Sequence, residues 1–308
     1  MPMIANFDDL LRSAGSVDSS RVVVAGVTNP ATLEAVYEAW KDGLIHPLFV
    51  DNAQALQREL RKGSPGETAD SIETGEDPAE VAGRAVQAIR DGAGDILMKG
   101  SIPTADLMRA VVDRHRGIRG EGLLSDSFLF EHLRRPGNQL INITDGGVVL
   151  YPDVDQKQRI LENAVKVSQV LGNRSPLVAV CAAVEKVTEK MPPTTDAQEL
   201  TRRYQRGEIS GCVVDGPLAL DGALSKESLE MKQIHSPLEG KADILVMPDI
   251  DAANLVAKST QYIAGKEAAH VIMGAAVPVL IPSRSDSARG KYLSLALASV
   301  IRSGQTNN

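Results

Sequence analysis

Short apolar runs of strand-forming residues alternate with longer segments of helical period along almost the whole chain, and this alternation narrows the possible folds most. Strand character falls on residues 21–26, 47–50, 95–99, 139–144, 176–182, 212–214, 243–247 and 277–281. Between them, segments of helical character fall on 30–40, a polar 51–62, 78–90, 105–114, 156–171, a segment near 197–206, 251–263 and 292–301. Residues 63–77, rich in Gly, Ser, Thr and acids, read as a surface connection, and the glycine-rich 116–122 as a loop or hinge. Strands that alternate with helices of this length predict an α/β fold, with mostly parallel sheets covered by helices on both faces. The 308 residues suffice for two domains, each with its own core. A boundary is expected near 145–151, where a fresh series of alternating elements begins.

Charge and cysteine content remove several functional classes. A net charge of −7 argues against a general nucleic-acid binder, since phosphate backbones are gripped by a basic surplus. Any anion must therefore be met locally. Cys181 and Cys212 make neither a disulfide framework nor a zinc set, and each reads as a small buried hydrophobe, as expected in a reducing cytoplasm. The start of the chain lacks the basic and apolar regions of a signal peptide, and no apolar run approaches ~20 residues, so neither export nor membrane insertion is expected.

The polar clusters that could carry chemistry fall just past the expected strands. The run 277–281 delivers Ser283 and Arg284 to its carboxyl end, and the polar residues through Lys291 lead into the closing helix. In a parallel α/β sheet that edge is where ligands sit, and a following helix start favours an anion. Arg284 offers a permanent fork-shaped cation, Ser283 a donor, and Asp286 a carboxylate one turn away. The plainer reading is that Ser285 or Ser287 caps the helix, Asp286 suits its first turn and Arg284 is a surface charge. Lys99, at the end of a strand and followed by Gly100, Ser101 and Thr104, is a second anion-type site or a surface lysine beside a helix cap. Asp251, Asn254 and Lys258 share a helix face by their offsets of three, four and seven. Asp215 and Asp221 flank a tight turn with no histidine at ligand spacing, and no metal site is expected. The five histidines, at 46, 115, 132, 235 and 270, form no catalytic or ligand pair and read as structural or surface residues.

Taken together and in order, these motifs resemble the phosphate acetyltransferase and phosphate butyryltransferase family. The resemblance is carried by 215–223 (DGPLALDGA), 225–227 (SKE), 242–254 (ADILVMPDIDAAN) with Lys258, and 278–287 (PVLIPSRSDS). The turn from Lys99 to Thr104 and the strand end at Thr144-Asp145 fit the same pattern, so the likeness runs from about Arg21 to the last helix. The wording of 215–221 and 283–287 is closer to the butyryl branch than to the acetyl branch.

The resemblance implies two α/β/α domains with an interdomain cleft, the first of residues 1–144 plus 283–308 and the second of 145–282, in a homodimer or larger homo-oligomer. It implies reversible transfer of a short acyl group between coenzyme A and inorganic phosphate, with the coenzyme A thiolate attacking an acyl phosphate directly in a ternary complex. Acyl-coenzyme A, phosphate and acyl phosphate are then substrates, and no cofactor is required. Ser283 and Arg284 would meet phosphate and the developing oxyanion, Lys99, Gly100 and Thr104 would line the phosphate and acyl end, and Asp249, Asn254 and Lys258 would serve substrate binding from the second domain. The acetyl branch carries an aspartate seven residues after the motif serine, a position held here by Gly290. Asp286 is the substitute base or orienting group, with Asp249 and Asp221 as rivals. Alternatives are an enzyme preferring acetyl-coenzyme A, a metal-dependent decarboxylating dehydrogenase of related two-domain fold, and a non-catalytic binder of acyl-coenzyme A.

Overall fold

Four consecutive buried residues, Val22 to Ala25, make β1 (Ser20–Ala25) a central strand, preceded by the helix α1 (Phe7–Ala14). The structure is a computed structural model that describes residues 3–60, 69–120, 122–132 and 137–306. After β1 come α2 (Pro30–Lys41), β2 (Ile45–Asn52), α3 (Ala53–Leu60), β3 (Asp70–Thr74), α4 (Pro78–Arg90), β4 (Ile96–Lys99) and α5 (Thr104–Val112). The helix starts follow local chemistry. Asn29 Oδ1 accepts the Thr32 N–H at 2.9 Å ahead of Pro30, and Asp77 Oδ1 accepts that of Ala79 at 3.0 Å ahead of Pro78.

The chain continues with β5 (Ser125–Glu131), β6 (Leu140–Thr144), α6 (Val154–Val170), β7 (Leu177–Cys181), α7 (Pro192–Gln205), β8 (Val213–Leu218), α8 (Leu220–Leu224), α9 (Lys226–Lys232), β9 (Ile244–Val246) and α10 (Ile250–Tyr262). It ends with β10 (Ala268–Met273), β11 (Val279–Leu280) and α11 (Ala288–Thr306). Asp153 and Gln156 form a reciprocal capping box on α6.

The fold is mixed α/β and divides into two compact units. One comprises Phe7–Gly122 and Ala269–Asn308, with strand order β3-β2-β1-β4-β11-β10, parallel except where β10 meets β11. The other comprises Met1–Asn6 and Leu123–Ala268, with order β5-β6-β9-β7-β8, parallel except for β5 against β6. Its core is built from residues such as Ile141, Ile143, Val178, Val180 and Leu245.

These unit limits, at 122/123 and 268/269, differ from the expected division at 144/145 and 282/283. Residues 125–131 pair antiparallel with β6 in the register Phe128↔Ile143, which ties the segment after Gly122 to the strands that follow. At the other end, Val279 of β11 pairs with both Leu97 of β4 and Ile272 of β10, which draws 269–282 into the unit of the last helix. The elements β3, β5, β10, α8 and α9 escaped the sequence reading. Residues 61–68, covering part of the expected helix end and connection, and Glu121 of the expected loop lie outside the described residues.

Candidate active site

All four residues of β4 are buried, and Lys99 is its last. Lys99 pairs in register with Ala25 of β1, and the chain leaves the strand through Gly100. The two strand ends lie so close that a Cβ on Gly100 would overlap the Gly26 carbonyl oxygen and come 2.8 Å from its carbon. Gly26 itself has φ +89°, a region that favours glycine. The Thr28 N–H donates to Ser101 Oγ at 3.3 Å, so the β1 and β4 ends share one polar rim. Thr104 opens α5 behind Pro103.

On the other side of β4, β11 pairs Leu280 with Met98 and hands the chain to the motif. The Asp286 N–H donates to the Ser283 carbonyl at 3.2 Å, and the Ser283 N–H donates to Asp286 Oδ2 at 2.7 Å. The hydroxyls of Ser283 and Ser285 lie 3.0 Å apart. Ser287 accepts the Gly290 N–H on Oγ at 3.0 Å and so caps α11, one of the two capping residues expected. Arg284 is exposed, while Asp286 is largely covered.

Two members of this cluster escaped the sequence reading. Lys291, the fourth residue of α11, is 1% exposed, and its Nζ donates to the Asp286 carbonyl. His270 on β10 has Nε2 3.6 Å from Asp286 Oδ2. The signal for Lys291 was available: a lysine near the start of an apolar helix opposes the helix dipole and has no solvent face to occupy. His270 gave none, because β10 itself was not recognised.

Electrostatically the cluster centres on Lys99, 3% exposed, whose Nζ lies 3.4 Å from the Gly100 carbonyl. Burial holds its ammonium below the ordinary lysine value; the charges of Arg284 and Lys291 push the same way, and Asp286 opposes them. The structure thus brings Lys99, Ser283, Arg284 and Asp286 into one polar cluster, with Gly100 at the same strand end. Such a set of donors and cations suits a small polyanion.

The other predicted residues belong to the second unit. Asn254 on α10 donates to the Gly146 carbonyl at 3.1 Å. That loop is gathered by Asp145, whose carboxylate accepts the N–H groups of Asp126, Gly147, Val148 and Val149. Burial, then the Asp126 charge, push the Asp145 carboxyl up to about 6. Asp249 caps α10 by accepting the Ala252 N–H at 2.9 Å. Lys258 lies 3.4 Å from Gln261 Oε1 and over the Tyr262 ring. Asp221 is ion-paired to Lys232 at 2.9 Å. Cys181 and Cys212 are buried, their thiols pushed up by burial to about 12 and about 11. Among the described residues, no group of three or more His, Cys, Asp or Glu side chains could hold a metal ion.

Fold and site together define an α/β protein of two units with a cationic strand-end cluster suited to a small polyanion. Residues 54–299 match the family model described as Phosphate acetyl/butaryl transferase. The chain is 38% identical over 283 residues to a phosphate acetyltransferase of Thermotoga maritima, covering 91% of this chain and 94% of that protein. It is 37% identical over 290 residues to a probable phosphate butyryltransferase of Bacillus subtilis, covering 94% and 96%. Among solved structures, a branched-chain phosphotransacylase from Enterococcus faecalis V583 superposes with a TM-score of 0.79 at 30% identity, covering 92% of this chain and 99% of that one. The chain belongs to the phosphate acetyl/butyryl transferase family.

Proposed function

We propose that the protein transfers a short acyl group reversibly between coenzyme A and inorganic phosphate, with butyryl-type chains preferred. The observation that carries this reading is the cluster of Lys99, Ser283, Arg284 and Asp286 in a chain whose residues 54–299 match the family model. In the direction from acyl phosphate to acyl-coenzyme A, the coenzyme A sulfur bonds to the carbonyl carbon, the carbon–oxygen bond to phosphate breaks, and phosphate leaves with the electron pair. The thiol proton passes to a base. Ser283 and Arg284 meet the phosphoryl group and the oxyanion, where fixed donors and a cation act most strongly as charge develops. Lys99, Gly100 and Thr104 line that end, and Asp249, Asn254 and Lys258 are proposed substrate-binding residues. The 2.7 Å bond from the Ser283 N–H favours Asp286 as the orienting group of the turn.

The working protein is proposed to be a cytoplasmic homodimer; among the described residues no helix is long and apolar enough to cross a membrane. Preference for acetyl-coenzyme A is the second reading, favoured by the 38% identity to the Thermotoga maritima acetyltransferase. Thiol release from acetyl-, propionyl- and butyryl-coenzyme A, each with and without phosphate, tests both. Phosphate-dependent release fastest with butyryl-coenzyme A supports the first reading, and fastest with acetyl-coenzyme A the second. No phosphate-dependent release from any of the three removes the assignment.

A further inference from the structure

The sequence motifs account for only three of the four charged groups gathered at the Ser283 turn. Lys99 comes from β4, Arg284 and Asp286 from the turn itself, and Lys291 from α11. Lys291 is among the largest fully buried side chains of the described residues, and its Nζ donates to the Asp286 carbonyl. Lys99 feels the cations of Arg284 and Lys291 against the single carboxylate of Asp286. Among the charges that act on Lys99, the cations outnumber the carboxylate, with His270 of β10 adjoining on the Asp286 side.

This arrangement is expensive when the site is empty. Burying an ammonium is costly, and a cation near a helix start is set against the dipole. Packing alone would be served better by an apolar residue of similar volume. A bound dianion offsets the charge surplus.

We propose that Lys291 is a positioning residue of the phosphate site: it pins the Ser283–Asp286 turn through the Asp286 carbonyl and adds a buried charge that draws a phosphoryl dianion toward Ser283 and Arg284. The assignment rests on reading this turn as the phosphate end of an acyl-transfer site. It has a consequence for Lys99. With Lys291 charged, Lys99 gives up its proton at lower pH, and phosphate affinity falls as pH rises through that titration. Removing the Lys291 charge moves the fall to higher pH.

The test is calorimetric titration of the full chain with inorganic phosphate, for wild type, Lys291→Arg and Lys291→Gln, on the alkaline side where phosphate is already a dianion. Glutamine keeps an N–H donor but carries no charge; arginine keeps the charge. Lys291→Gln is expected to bind phosphate at least about tenfold more weakly and to shift the alkaline fall upward, while Lys291→Arg stays within about threefold of wild type. Unchanged affinity in Lys291→Gln, or equal losses in both variants with an unmoved alkaline fall, overturns the proposal. So does a wild type that does not bind phosphate. If Lys291→Gln does not fold, the lysine ¹³Cε resonances of the wild type decide: Lys99 and Lys291 must shift with one midpoint as phosphate is added, and a shift of Lys99 alone overturns the role. A wild type that lacks acyl transfer yet follows this binding pattern sinks only the functional reading. Acyl transfer with phosphate binding indifferent to Lys291 sinks only the inference.

Discussion

Asp286 Oδ2 accepts the backbone N–H of Ser283 at 2.7 Å, while the Asp286 N–H donates to the Ser283 carbonyl at 3.2 Å. Two bonds between the same two residues fix the turn that presents the Ser283 hydroxyl and the Arg284 side chain. Only one of them uses the carboxylate, and it needs an acceptor there, not a charge.

That distinction separates an orienting role from a proton-accepting one. An asparagine can offer its Oδ1 to the Ser283 N–H, whereas an alanine leaves that donor without its side-chain acceptor. If Asp286 orients the turn, Asp286→Asn should lower kcat by less than about tenfold and Asp286→Ala by about a hundredfold or more. Equal losses in the two variants, together with an altered pH profile of kcat/KM, would pass the thiol proton to Asp286 instead.

Arg284 is exposed, so it contributes little to the stability of the free protein and its replacement reports on chemistry. Arg284→Ala is expected to cut turnover by about two to three orders of magnitude, as for loss of a group that meets charge in the transition state. Arg284→Lys should recover only part of it, because an ammonium cannot form two parallel bonds to one phosphoryl group. Near-normal turnover of the alanine variant removes Arg284 from the site.

Much of the fold and part of the site could be read from the chain alone, for physical reasons that differ between elements. α4 (Pro78–Arg90) matched its expected limits because an aspartate cap, a proline at the first position and a strict apolar face all mark it locally. β5 was missed although six of its seven residues are buried, since Ser125, Asp126 and Ser127 break the apolar run. Their burial depends on partners far away in sequence: Asn142 donates to Ser127 Oγ, and Asn163 to Ser125 Oγ. In the site, Ser283, Arg284 and Asp286 were legible because they follow a strand in one short motif. His270 became visible only once pairing had set β10 beside β11, a relation between strands that local pattern does not carry.

Asp145 gives the second unit a pH signature. Its folded value is raised from 3.8 to about 6, so the folded chain holds a proton there across a range where the unfolded chain has lost it. Stability from this group is therefore largest at acid pH and is lost as pH rises from about 4 to about 6. The loss is on the order of 2–3 kcal/mol. Denaturant unfolding of wild type and Asp145→Asn at matched pH values should show the wild type losing ground against the variant over that window. Parallel stability curves from acid to neutral pH would mean that Asp145 titrates alike in both states.

Gly100 offers the sharpest test of how the strand ends meet. A Cβ there would overlap the carbonyl oxygen of Gly26, and because the obstacle is backbone, no rotamer change relieves it. β1 and β4 would have to part next to Lys99, so Gly100→Ala should destabilise the protein by about 3 kcal/mol or more. Gly83, inside α4, is the control: a Cβ added there meets nothing within 4 Å, and Gly83→Ala should stabilise by about 0.5–1 kcal/mol through helix propensity. Urea unfolding measures both. If Gly100→Ala were as harmless as Gly83→Ala, β1 and β4 could not approach as closely as described, and the seat of Lys99 at their shared end would be lost.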